Sequence, residues 1–279
     1  MSSTQLRPQR RVPGTHDLGS IIREGFAAYR SGFVPMFAIA LLTVPLQLLT
    51  AVISGSTDSE GAEVAAQMLQ LPAIFVSLVV SAALVRASAD VTGGGAPGFG
   101  GALDAAFSRI GALITTFLLE LGLLLASIVA APLLAVYWLF NRSATIDGRR
   151  DWWLALIPGA LAVYLLVRWL FASWAVMLDS RQNWAALDES ARVVRSRWWR
   201  TLGIVLGLAL VQLGPTVLAA STVTLLSPLA YAALFGTVAA LLLPFAVASH
   251  TVLYADLKAR SAPDVHPDPV AATGPDAQG

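Results

Sequence analysis

The sequence predicts an all-α, polytopic membrane protein. Six transmembrane helices form three hairpins, each preceded by a short interfacial amphipathic helix, with both termini inside. Three observations carry this reading. Of 279 residues, 56% are hydrophobic and 13% charged, with a mean hydropathy of +0.69; soluble domains average about 45–50% apolar and about 25% charged. The excess must face lipid. Six long apolar runs follow one another along the chain, and a helical apolar stripe recurs before each odd-numbered run.

Residues 1–16 are polar and arginine-bearing and read as a disordered cytoplasmic tail. No apolar run begins before residue 33, so the N-terminus is not a secretory signal. The transmembrane domain covers 17–260. Its first stripe is Ile22, Phe26, Tyr29 and Phe33, spaced as one face of a helix. Spans at 33–54 and 69–89 follow, each near the roughly 20 residues a bilayer requires. The segment TGGGAPGFGG at 92–101 is glycine-rich, yet no strand precedes it and no Gly-Lys-Ser/Thr follows. It reads as a flexible joint rather than a phosphate loop.

Leu103, Phe107, Ile110 and Ile114 repeat the stripe ahead of the third span, 111–140, and the fourth runs 152–178. Leu187, Ala191, Val194 and Trp198 give the third stripe, in LDESARVVRSRWWR, where Asp188 and Arg192 stand four apart and suit an ion pair. Spans at 201–225 and 229–254 complete the set, with a tight turn at Ser227–Pro228. Pro45, Pro132 and Pro215 fall in the far halves of the three odd spans and are expected to kink them. Residues 261–279, rich in Pro, Ala, Asp and Gly, read as a second disordered cytoplasmic tail.

Orientation follows from the basic residues. With both termini inside, the inner segments carry fourteen arginines and lysines and the outer loops only Arg142, Arg149 and Arg150. Trp138, Trp152 and Trp153 then belong to an outer aromatic belt, and Trp184, Trp198 and Trp199 to an inner one. Seventeen of the eighteen basic residues are arginine. With abundant Ala, Gly and Leu, this usage points to a GC-rich bacterial genome, and the expected location is the bacterial cytoplasmic membrane. Each stripe reads as a helix in the inner headgroup layer, with Arg30, Arg192, Arg195, Arg197 and Arg200 as candidates for anionic headgroups. Three hairpins of one orientation make parallel repeats.

The segments LGSIIREGFAAYRSGF and RWLFASWAVMLDSRQNWAALDESARVVRSRWWRTLGIVLGLAL, with VPLQLL between them, carry a family resemblance. They are similar to the glycerophosphoryl diester phosphodiesterase membrane-domain family of bacterial integral membrane proteins. The matching positions are Arg168-Trp169, Asp179 (where the family more usually has glutamate), Ala186-Leu187, Ser190 and Trp198-Trp199-Arg200. Members that cleave glycerophosphodiesters do so with an attached soluble domain, which this sequence lacks. The resemblance therefore implies a membrane domain and not a hydrolase.

Ionisable groups inside a span are costly and mark candidate sites. Counting at 1.5 Å per residue from the inner ends places Glu120 roughly 13 Å deep and Arg168 roughly 15 Å deep, with Gln212 at a similar level. A Glu120–Arg168 pair fits a clamp that fixes helix register, the commoner role, and also fits the polar layer of a solute path. Arg168 and Asp179 lie eleven apart on one helix face, as a water-lined vestibule requires. The chain has no cysteine, its histidines (His16, His250 and His266) are scattered, and no serine stands in a triad pattern. No metal, cofactor or nucleic-acid site is implied.

The expected role is a non-enzymatic membrane module. It is either lipid-interacting or an accessory scaffold for another membrane protein, with anionic lipid at its cytoplasmic face. The alternative is a small-solute or lipid transporter component built on Glu120, Arg168 and Gln212.

Overall fold

The computed structural model describes residues 17–56, 64–65, 67–141, 156–223 and 226–261. Both tails, Arg142, Arg149, Arg150, Trp152, Trp153 and the Trp138 side chain lie outside the described set. Among the described residues all regular structure is helix. The helices are α1 (Leu18–Ser31), α2 (Phe33–Leu41), α3 (Val44–Ser56), α4 (Gln70–Thr92), α5 (Phe99–Ser108) and α6 (Ile110–Asn141). After them come α7 (Leu156–Trp169), α8 (Ala172–Asp179), α9 (Trp184–Arg195), α10 (Trp198–Ala220) and α11 (Pro228–Ser261).

Among the described residues, five stretches are long and apolar enough to cross a membrane: Phe33–Ile53, Gln70–Thr92, Gly159–Asp179, Trp198–Ala220 and Leu229–Ser261. A sixth arises if α5 and Ile110–Ala126 of α6, which meet at 63°, count as one bent span. Over its described residues, each apolar run of the sequence is mainly helical.

The three stripes begin on α1, α5 and α9, each a separate helix that ends before the next begins, and their last residues (Phe33, Ile110 and Ile114, Trp198) fall on the helix that follows. Asp17 caps α1 by accepting the Ser20 N–H at 3.0 Å, and this bond holds its carboxyl below the usual carboxylate range. Gly32 separates α1 from α2. A Cβ there would lie 2.9 Å from Val91 Cγ2 and 3.2 Å from Pro97 Cγ, because the joint after α4 packs into the break. That joint is a turn: Gly94 has φ +80°, and the Gly95 N–H donates to the Asp90 carbonyl at 2.8 Å.

On α1 and α5 the face by which the helix docks lies one residue from the predicted stripe, whereas on α9 the stripe residues Leu187, Ala191 and Val194 are themselves buried. On α1 the buried residues are Ile21, Gly25 and Ala28; on α5, Ala102 and Ala106; on α9, Ala186, Leu187, Glu189, Ser190, Ala191, Val193 and Val194. Matched through the repeat, Gly25, Ala106 and Ser190 occupy one position, and all three are small and buried. Small side chains let helix backbones approach closely, and that requirement selects this face. The bulky stripe residues Phe26 and Phe107 are about half exposed instead, at 54% and 53%.

Helix α11 is the hub, packing against α1, α2, α3, α4, α9 and α10. The tightest crossing is with α1: a Cβ on Gly25 would stand 2.3 Å from Ser249 Oγ and 2.8 Å from its Cα. Both buried clusters gather at the end of the bundle where the short helices insert. One joins Met36, Leu84, Ala106, Met177 and Ala248; the other joins Ile21, Phe171, Val194, Leu208 and Tyr254. This end also carries Arg23, Arg30, Arg109, Arg181, Arg192, Arg195, Arg197, Arg200, Lys258 and Arg260, and is called the basic end below.

Two of the long stretches are broken. The first stops at Leu41 and restarts at Val44, where Pro45 has no N–H to continue the ladder and Thr43 Oγ1 returns to the Ala40 carbonyl at 2.8 Å. The fourth breaks between Trp169 and Ala172. Pro215, by contrast, sits inside an uninterrupted α10.

Candidate functional site

The break between α7 and α8 is bridged from outside. Ser190 Oγ, on α9, donates to the Arg168 carbonyl at 2.9 Å and accepts the Phe171 N–H at 3.1 Å. One buried hydroxyl thus satisfies a donor and an acceptor that the broken helix leaves free. The far end of α8 is held from the α5–α6 junction and from α6. Arg109 Nη1 donates to the carbonyls of Val176 (2.5 Å) and Met177 (3.2 Å), a cation placed at a helix C-terminus. Thr116 Oγ1 accepts the Asn183 N–H at 3.0 Å, fixing a turn in which Ser180 and Asn183 both have positive φ.

These clamps leave Asp179 at the rim of an open pocket of about 360 Å³, lined by Asp179, Ser180, Arg181, Glu189, Arg192 and Lys258. Asp179 accepts from Tyr254 Oη at 2.5 Å and pairs with Lys258. Glu189, nearly buried, is bound by Arg192 through two bonds, Nε–Oε2 at 3.1 Å and Nη2–Oε1 at 2.5 Å. Arg192 therefore pairs with Glu189, three residues back, and not with Asp188, which is exposed. The Glu189 carboxylate raises the Arg192 pKa further. A charge on the packed face of α9 needs a partner, and Arg192 supplies it. Arg200 is likewise engaged, with Asp256 at 3.0 Å.

Of the five arginines proposed for headgroups, Arg30, Arg195 and Arg197 are exposed and form no ion pair among the described residues. Beside them stand exposed aromatics: Phe26 on α1, Phe99 and Phe107 on α5, Trp184 on α9 at 62%, and Trp199 at the start of α10 at 79%. The basic end thus presents arginines and large rings together, the chemistry of a surface at headgroup level.

Glu120, Arg168 and Gln212 are not drawn into one layer. Arg168 Nη1 donates to Tyr164 Oη at 2.8 Å, one turn back on its own helix, and no ion pair to Glu120 forms. The depth counted for Arg168 assumed an unbroken fourth span. Because the helix stops at Trp169, Arg168 lies level with Ser190, and the Trp198 indole reaches the neighbouring Tyr164 carbonyl at 3.4 Å. Glu120 is half-buried, one turn beyond Thr116 on the packed face of α6. His250, expected as a packing residue, bonds the Ala246 carbonyl at 2.8 Å and lies beside the Phe171 and Trp174 rings.

Gln212 lies fourteen residues beyond Trp198, roughly 21 Å along α10. There it lines a cavity of about 340 Å³ with Thr43, Gln47, Ser77, Ser81, Thr216 and an apolar wall from α11. The sequence reading named only Gln212 of this set. One signal was present: the separation relating Ile22 to Leu187 in the repeat also relates Gln47 to Gln212.

No family model, no curated protein and no solved structure matches this chain. The resemblance to the glycerophosphoryl diester phosphodiesterase membrane-domain family rests on the residues quoted for it.

Proposed function

We propose that the chain is a non-enzymatic, lipid-interacting module of the bacterial cytoplasmic membrane. It has six spans with both termini inside. The observation that carries this is the pairing, at the basic end, of exposed arginines (Arg30, Arg195, Arg197) with exposed rings (Phe26, Phe107, Trp184, Trp199). Such helices lay rings at the acyl boundary and guanidinium groups among anionic headgroups. The basic residues gathered at this end support an inward placement. The family resemblance supports a membrane role without hydrolysis.

Reconstitution in nanodiscs of mixed phosphatidylglycerol and phosphatidylcholine tests the proposal. The protein should enrich the anionic lipid around itself. The triple variant Arg30→Gln, Arg195→Gln, Arg197→Gln should lose that enrichment, since each arginine near an anionic surface contributes about 1 kcal/mol. Equal enrichment in both proteins overturns the reading. A permease component is the second reading. It draws support from the cavity at Gln212, and none from Glu120 and Arg168, which lie apart from it.

A further inference from the structure

The cavity at Gln212 is built from polar side chains that no local structural need explains. It lies between α3, α4 and α10, floored by α11. Gln47 comes from α3 and Gln212 from α10, at matching positions of the first and third repeats. Ser77 and Ser81 stand one turn apart on α4 and face the same space. Thr43 and Thr216 spend their hydroxyl protons on their own helices, at the Ala40 and Gln212 carbonyls.

Gln212 makes one long side-chain bond, from Nε2 to the Leu208 carbonyl at 3.3 Å, which leaves its second amide N–H and its side-chain oxygen Oε1 open. Gln47, Ser77 and Ser81 have no side-chain hydrogen bond among the described residues. Gly236 leaves room for Gln47, whose Oε1 lies 2.7 Å from where a Gly236 Cβ would be. Unpaired amides and hydroxyls within an apolar span are costly unless something occupies the space between them.

We propose that this cavity is a binding site for a small uncharged polyol. No charged residue lines it, so an ion would find no counter-charge there. Carboxamides and hydroxyls each donate and accept, which matches the paired donor and acceptor of every ligand hydroxyl. Phe235, Leu242 and Leu243 supply an apolar face for the C–H side of such a molecule. The volume, about 340 Å³, sits at the low end of the range for small-molecule sites, roughly 300–1,000 Å³. Ser77 is exposed while the other polar residues are half-buried, so the mouth is on the Ser77 side.

The chain has no cysteine, so single thiols can be read without background. Ser81→Cys and, as a lipid-facing control, Leu210→Cys are treated in nanodiscs with methyl methanethiosulfonate, with and without sorbitol or sodium gluconate. Gluconate has the same chain length as sorbitol but bears a carboxylate. Ser81→Cys should react about tenfold faster than Leu210→Cys, because a thiolate needs a polar setting. Sorbitol should slow it several-fold and gluconate should not. If Ser81→Cys reacts as slowly as the control, the cavity is dry and the proposal fails. If sorbitol and gluconate act alike, the ligand class is wrong. Should Ser81→Cys not fold, Thr216→Cys on the opposite wall gives the same readout.

Discussion

Gly25→Leu detaches α1 from the bundle, and Gly25→Ala alone lowers stability by about 1–3 kcal/mol, the usual cost of overpacking. The expectation follows from the α1–α11 crossing. A single added carbon meets Ser249 Oγ at 2.3 Å, Cα at 2.8 Å and Cβ at 2.9 Å, and because one of these is backbone, no rotamer change relieves it. Helix α1 must tilt away, withdrawing Ile21 and Leu18 from the cluster they share with Leu208 and Leu253. Gly203→Ala on α10 is the control, since nothing lies within 4 Å of its added carbon. There alanine should be neutral or stabilise by about 1 kcal/mol through helix propensity. Thermal unfolding in detergent compares the two. Equal behaviour of Gly25→Ala and Gly203→Ala would show that α1 does not pack as described.

Ser190→Ala should cost about 2–4 kcal/mol, although it removes only one oxygen. Ser190 is fully buried and serves two backbone groups at the α7–α8 break, the Phe171 N–H and the Arg168 carbonyl. Each buried group left unpaired costs about 1–3 kcal/mol. Ser108→Ala, where an exposed hydroxyl merely returns to Ala105, should stay within about 0.5 kcal/mol of the parent. Amide exchange adds a local readout: the Phe171 N–H should lose protection in Ser190→Ala. If that amide stays protected and the two variants are equally stable, another group closes the break.

The helices were legible in the sequence because an apolar run of sufficient length has little alternative to helix in lipid, and the stripes marked α1, α5 and α9. The docking face was legible on α9, where Leu187, Ala191 and Val194 of the stripe are buried, but not on α1 and α5, because an amphipathic pattern scores hydrophobicity. Phe26 and Phe107 score high and stay outside; Gly25, Ala106 and Ser190 score low and carry the contacts. The interruption of the fourth span was not legible either. Nothing in RWLFASW announces a helix break, since the group that makes the break tolerable, Ser190, lies on another helix. The Asp188–Arg192 spacing was legible, but the carboxylate needing a cation was the buried Glu189. The Gln212 cavity was half legible through its repeat partner Gln47. Which face of α4 completes it depends on α11.

The most direct test of the central claim, that the short helices form a lipid-contacting layer at headgroup depth, is spin-label accessibility. Nitroxides attached at Phe26→Cys, Phe107→Cys and Trp199→Cys, with Leu210→Cys as the deep reference, are compared for collision with oxygen and with a water-soluble nickel complex in anionic nanodiscs. The account predicts that the first three share one shallow depth at the headgroup boundary, well above Leu210→Cys. Labels bathed in water, or as deep as Leu210→Cys, would contradict it.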